Sequence, residues 1–245
     1  MKRALLAVAI IAIAAGCSRE NDETTSLLEP ANVKVYLLRD EKVWPVNREV
    51  VEGTGGAGGA LDQLADGPTD REAAELGLTT ALPETASYSM SLEDGVARVE
   101  LDVELSPEGL AQLVYTLTQF PTVRSVDLEG GATIVTGFDR DDFEELTPAI
   151  LVEAPLSFEE VTSPLRVTGT ANTFEANFQY ELIDSDGRVI AENFVTATSG
   201  TGTRGTFEFT VPFEFTGDGT LTVLESSAKD GSRINVTEIP LRLGS

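Results

Sequence analysis

Hydrophobic and polar positions follow three rhythms along this chain. Residues 4–15 form one short, nearly unbroken apolar run; residues 33–135 mix strand-like alternation with helical spacing; from Ile150 onward only strand-like alternation remains. In the middle region Val33–Leu38 reads as an apolar strand, with short β segments at Val43–Val46 and Arg48–Val51. Pro45 has no N–H to donate, which confines its segment to a sheet edge or a strand end. Ala60–Ala65 predicts a short helix ended by Asp66-Gly67-Pro68. A second follows at Thr69–Glu75, with Thr69 as N-cap and Gly77 as the stop. Ser87–Leu92 and Val96–Val103 predict a hairpin across Glu93-Asp94-Gly95, because Asp-Gly supplies the positive φ that a tight turn needs. Ser106-Pro107-Glu108 combines a capping hydroxyl, a first-turn proline and an acid at the positive end of a helix. Leu110, Leu113, Val114 and Leu117 then mark its buried face, and Pro121 ends it. That register leaves Glu108, Gln112, Tyr115 and Gln119 as an outward surface. Tyr115 and Gln119 are therefore the candidate interface residues. Val123–Leu128 and Ala132–Val135 read as a second hairpin around Glu129-Gly130-Gly131.

The last hundred residues give seven strand candidates: 150–152, 165–170, 176–183, 189–198, 206–213, 220–226 and 234–243. Phe178 to Leu182 and Phe207 to Val211 alternate visibly, and Asp186-Gly187 and Asp230-Gly231 supply hairpin turns. Strands at this spacing without helical signal predict a two-sheet sandwich. The fold class expected is an α+β N-terminal domain followed by an all-β sandwich.

Two segments invite a chemical reading. Gly53–Gly59 is glycine-rich, but it lacks the Lys-Ser/Thr of a P-loop and does not match G-x-G-x-x-G, so it reads as flexible linker. Phe138–Thr147 carries Asp139, Asp141, Asp142, Glu144 and Glu145 without the Asp-x-Asp-x-Asp-Gly frame of a calcium loop. Residues 138–148 are accordingly expected to form an acidic, solvated linker between domains.

Composition narrows the chemistry. The chain has 17 Lys+Arg against 41 Asp+Glu, a formal net charge of −24, and no histidine. Such a surface repels phosphate backbones, which disfavours nucleic acid as a partner. Without His, and with Cys17 as the one cysteine, the usual zinc sites, Ser-His-Asp triads and Cys-His dyads are unavailable. No metal and no cofactor is expected, and the chain is not expected to be an enzyme. Carboxylate pairs remain open, so a peptidoglycan-acting hydrolase or a ligand-binding sensor stands as the alternative. Trp44, the one tryptophan, fits core or edge packing better than a sugar-stacking platform.

The start of the chain says where the protein resides. Lys2 and Arg3 precede the apolar run, which is too short to span a bilayer, and Ala14-Ala15-Gly16 leads into Cys17. This order resembles a bacterial lipoprotein lipobox, with Ala14 where Leu is commonest. The resemblance implies a signal peptide at 1–16, cleavage after Gly16 and lipid attachment at Cys17. Residues 17–31 would then be a polar tether, extending to at most about 50 Å. A diacylated thioether would hold the protein at the extracytoplasmic face of the cell membrane, since two acyl chains anchor stably where one does not. Once Lys2 and Arg3 are removed with the signal peptide, the remainder carries −26.

Further motifs carry a family resemblance. Gly59–Thr69 (GALDQLADGPT), Asp94–Leu101 (DGVARVEL) and Gln112–Phe120 (QLVYTLTQF) resemble the GerMN domain of sporulation and germination proteins. Ile150–Pro155, Ser163–Ala171, Phe174–Ala176, Asp230-Gly231 and Ile239–Leu243 resemble the immunoglobulin-like domain that accompanies it. The resemblance implies a GerMN domain at 32–137 with a ring-building α/β fold and an immunoglobulin-like sandwich at 149–245. It also implies a noncatalytic role in assembling the cell or spore envelope, with envelope proteins as partners.

Overall fold

A computed structural model describes residues 30–51, 56–84, 86–131 and 133–244. Cys17, Gly16 and most of the expected tether lie outside the described residues. Among those described, the protein is mostly β and no helix is long and apolar enough to cross a membrane.

The N-terminal region opens with β1 (Pro30–Arg39) and β2 (Lys42–Val51), an antiparallel ribbon closed by Asp40 and Glu41 at φ of 50° and 63°. Pro45 sits mid-strand in β2, opposite Tyr36; among the described residues β2 pairs with β1 alone, so an edge position tolerates the missing donor. Helix α1 (Gly56–Ala65) begins four residues earlier than the apolar spacing indicated and takes in Gly56–Gly59 of the glycine-rich stretch. Helix α2 (Asp70–Leu76) is capped as its sequence predicts. The Thr69 hydroxyl accepts from Glu72 N–H, the Glu72 side chain accepts from Thr69 N–H, and Gly77 closes the helix at φ 68°. Glu72 also pairs bidentately with Arg48 of β2, at 2.6 and 2.7 Å, which fixes α2 to the ribbon.

β3 (Tyr88–Glu93) and β4 (Val96–Leu101) form the expected hairpin on Asp94 and Gly95. Helix α3 (Pro107–Leu117) then crosses over to β5 (Ser125–Gly130), which pairs parallel to β4, and β6 (Thr133–Phe138) completes the order β3-β4-β5-β6. Ala97, Val99, Leu101, Val126 and Leu128 fill the inner face of this sheet.

Helix α3 departs from the expected register in one respect. Leu113, Val114 and Leu117 are buried as predicted and Leu110 is half-buried, yet Gln112 and Tyr115 are buried as well, at 0% and 2% exposure. The helix is enclosed because β1, α1 and the segment after β6 pack on three of its sides. Its polar stripe does not meet water; it meets the open edge of β1. Gln119 accepts from Lys34 N–H (2.8 Å) and donates to the Lys34 carbonyl (2.5 Å). Thr116 accepts from Tyr36 N–H (3.1 Å), and Gln112 donates to the Tyr36 carbonyl (3.0 Å). Beyond them, Leu38 and Thr79 exchange both backbone hydrogen bonds at 2.9 Å. Gln112 and Thr116 of the helix, and Gln119 just past its C-cap, thus replace a neighbouring strand, satisfying backbone groups that would otherwise be buried unpaired.

Residues 138–148 are not a solvated linker. Arg140–Leu146 forms a 3-10 helix kinked at Phe143, with Asp139 accepting from Asp141 N–H at its start and Phe143 buried against Phe138. The sandwich follows with β7 (Ile150–Ala154), β8 (Glu160–Thr162), β9 (Leu165–Ala171), β10 (Asn177–Asp184), β11 (Val189–Thr196), β12 (Gly205–Val211), β13 (Gly217–Ser226) and β14 (Arg233–Gly244). One sheet has the order β11-β10-β13-β14-β8 and the other β12-β9-β7. All seven expected strands are present. β8 is additional, three residues pairing parallel to β14. Phe178, Tyr180, Phe207 and Phe209 interlock between the sheets, with centroids 4.8 to 6.4 Å apart. Gly169 permits close approach of β9 to β7: a Cβ there would lie 2.1 Å from the Leu151 carbonyl oxygen.

Candidate interdomain site

The polar groups that the fold brings together lie where the N-terminal region meets the sandwich. Arg140 is the centre. Its Nη1 donates to Glu153 Oε1 of β7 (2.6 Å), its Nη2 to the Tyr115 carbonyl of α3 (3.1 Å) and the Tyr36 hydroxyl of β1 (3.3 Å), and its Nε to Thr118 Oγ1 (3.0 Å). The guanidinium also lies over the rings of Tyr115 and Tyr36, 4.7 and 5.1 Å from their centroids. Lys34 Nζ reaches the other Glu153 oxygen at 2.6 Å, so one carboxylate of the sandwich takes a cation from β1 and another from the 3-10 helix.

The far end of the 3-10 helix is fixed in the same way. Arg204 grips Glu144 bidentately (2.8 and 2.9 Å) and donates to the Pro148 carbonyl, while Asn172 donates to Glu144 Oε1. Thr147 donates to the Phe143 carbonyl, so the Tyr115 hydroxyl, 2.6 Å from Thr147 Oγ1, is the donor in that pair. An apolar seam completes the joint: Trp44 and Pro45 of β2 pack beside Pro148, Ile150 and Leu156. One continuous set of buried apolar side chains therefore runs from Val35 to Leu243.

Electrostatics hold the charged forms. Burial alone would raise the Glu153 carboxyl, but the Arg140 and Lys34 charges outweigh it and keep it below the ordinary carboxylate range. Glu144 is lowered in the same manner, with burial outweighed by Arg204 and Asn172. Burial, reinforced by the Glu153 charge, pushes the Tyr36 phenol well above its usual value, and burial raises Tyr115. Carboxylates locked on cations and neutral phenols form a fastener rather than an acid–base pair.

The residues expected to matter are placed differently by the structure. Tyr115, expected on an outward interface, is buried inside the joint, and Gln119, partly exposed, is occupied with β1. Neither offers the free surface that helical periodicity suggested, because periodicity does not show that a strand edge needs polar partners. The five acids of 139–145 do not converge; Asp139 and Asp142 cap the 3-10 helix and Glu144 pairs with Arg204. Among the described residues no group of three His, Cys, Asp or Glu is arranged to hold a metal ion. Arg140 and Glu153 carried no sequence signal, since their partners Tyr36 and Tyr115 lie 104 and 25 residues from Arg140.

Residues 34–131 match a family model described as sporulation and spore germination, and residues 149–232 match one described as the immunoglobulin-like domain of bacterial spore germination. The chain pairs a GerMN-like region with an immunoglobulin-like domain. Arg140 lies in the interval between the two matched regions, and its partners Tyr36 and Tyr115 lie in the first and Glu153 in the second. Among solved structures, the first GerMN domain of the sporulation protein GerM from Bacillus subtilis is 17% identical. It covers 43% of this chain and 86% of that one, with a TM-score of 0.30. The tandem GerMN domains of the same protein are 14% identical, covering 74% of this chain and 61% of theirs at a TM-score of 0.35. CopC from Methylosinus trichosporium OB3b is 13% identical, covering 38% of this chain and 92% of its own at 0.28. No curated protein matches the chain.

Proposed function

We propose that this protein is a noncatalytic assembly module of the cell envelope, lipid-anchored through Cys17 on the extracytoplasmic side. The observation that carries this reading is the joint itself. Two germination-type regions in series are fixed to each other by Arg140, Glu153 and Lys34, giving a rigid two-part body suited to holding partner proteins at a set spacing. The GerMN-like region supplies an α+β layer of the ring-building kind, and the sandwich extends it. The strongly acidic surface favours basic partners, and membrane attachment falls to the acyl chains, since the −26 left once Lys2 and Arg3 are removed disfavours adhesion to anionic lipid. The bonded state of the joint's tyrosines and carboxylates supports a structural role over a hydrolytic one.

Chemical cross-linking in intact cells of the bacterium that makes the protein, comparing the native chain with Cys17→Ser, tests this reading. The expected result is discrete cross-linked species with envelope proteins and a membrane fraction that is lost in Cys17→Ser. Unchanged membrane fractionation of Cys17→Ser would remove the anchor, and absence of any cross-linked species would remove the assembly role.

A further inference from the structure

Helix α2 faces the outer surface of the five-stranded sheet across an open cleft of about 630 Å³. That volume is within the range of about 300–1,000 Å³ typical of small-ligand sites. Its floor is β13. Leu221 and Val223 point into the sandwich core, so Thr220 and Thr222, which alternate with them, turn outward toward the cleft. The Thr222 hydroxyl is fully buried and has no hydrogen-bond partner. A hydroxyl left in that state is destabilising, and a ligand hydrogen bond would remove that cost. Its cross-strand neighbours are Glu181 and Glu238, of which Glu238 is exposed and free to swing aside.

The wall is unusual as well. The Arg71 guanidinium of α2 lies 3.7 Å over the ring of Phe158. Phe158 itself adopts φ 71°, a left-handed conformation that a bulky aromatic residue rarely takes, and its N–H donates to the Pro240 carbonyl at 2.7 Å. Residues held this way cluster at functional sites, where the fold fixes a side chain that local preference would place elsewhere. Across the cleft, Arg242 stands 3.4 Å from Asp218. Glu75, Asp184, Asp218 and Glu238 outnumber the two guanidiniums, so the lining repels anions.

We propose that this cleft binds a neutral, hydroxyl-rich ligand, a glycan of a few sugar rings. Carboxylates accept from sugar hydroxyls, the two guanidiniums donate to hydroxyl and ring oxygens, Phe158 holds the Arg71 guanidinium in place at the wall, and Thr222 takes the innermost hydroxyl. This activity goes beyond the assembly role and is independent of it: a module that failed to capture envelope proteins could still bind sugar here.

Isothermal titration of the full chain with tri-N-acetylchitotriose and maltotriose as neutral probes, and trigalacturonate as the anionic one, tests the site. The expected result is saturable binding of at least one neutral probe, no binding of the uronate, and at least a tenfold loss of affinity in Thr222→Val and in Arg71→Ala. Arg71 is largely exposed, so its variant remains informative if Thr222→Val fails to fold. No saturable heat with either neutral probe, equal or better binding of the uronate, or affinity unchanged in a folded variant would each overturn the proposal.

Discussion

Arg140 Nη1 and Glu153 Oε1 stand 2.6 Å apart, and Lys34 Nζ lies at the same distance from the other oxygen of that carboxylate. Glu153 belongs to the sandwich and Lys34 to the first strand of the chain, so one side chain ties together elements 119 residues apart. Domains in one chain move against each other by default unless the interface is large and apolar. Here the shared apolar core and the charged fastener act together.

Removing one partner should be costly. Glu153→Leu leaves two cations facing each other without an anion, and Arg140→Met leaves a mostly buried carboxylate with only Lys34. Each is expected to destabilise by roughly 2–5 kcal/mol in urea unfolding. The double variant should lose clearly less than the sum of the two, which a double-mutant cycle measures. Additive losses would mean that the pair is not coupled.

Stability should depend on pH at both extremes. Glu153, Glu144 and Glu72 have folded-state values below their unfolded ones; for Glu72, burial is outweighed by Arg48 and Thr69. Their contribution is complete above the unfolded value of about 4.3 and is lost as pH falls through the folded values. Tyr36 and Tyr115 are shifted upward, so their contribution is complete below about 10 and declines as pH rises beyond it. Urea midpoints measured against pH should form a plateau between those limits. A midpoint that keeps rising as acid is added would contradict the assignment.

The β1 edge gives a separate test. Gln112→Leu keeps the helix but leaves the Tyr36 carbonyl and Ala81 N–H without their partner. It should cost about 1–3 kcal/mol although it makes the core more apolar. Leu113→Ala, a fully buried site, should cost about 2–5 kcal/mol through the cavity it leaves. Thermal melts of both variants would check this, and an unchanged or more stable Gln112→Leu would show that the ladder does not matter.

Backbone approach in the sandwich is equally exposed to mutation. Gly169→Ala would drive a methyl group into the Leu151 carbonyl and the Phe207 ring. A loss of roughly 1–3 kcal/mol is expected in denaturant unfolding, as for other overpacked positions.

Local rules made much of this fold legible. Asp94-Gly95, Ser106-Pro107, Thr69 with Glu72, and the alternation of Phe178–Leu182 each specify their own element, because the determinant lies within a few residues. What escaped depends on contacts distant in sequence. Gln112 and Gln119 look solvent-facing until β1 presents an unpaired edge to them. Residues 138–148 read as linker because five acids mask Phe143 and the two anchoring roles of Arg140 and Glu144. Strand β8 is three residues long, with an exposed pattern and a partner some eighty residues away. Glu153 sits in an otherwise apolar strand, and only the assembled joint shows why a carboxylate is there.

Differential scanning calorimetry of the chain tests the central claim, that the GerMN-like region and the sandwich form one body. The account predicts a single transition whose calorimetric and van't Hoff enthalpies agree, and Arg140→Met should split or broaden it. Two separate transitions in the native chain, each unchanged by Arg140→Met, would contradict it.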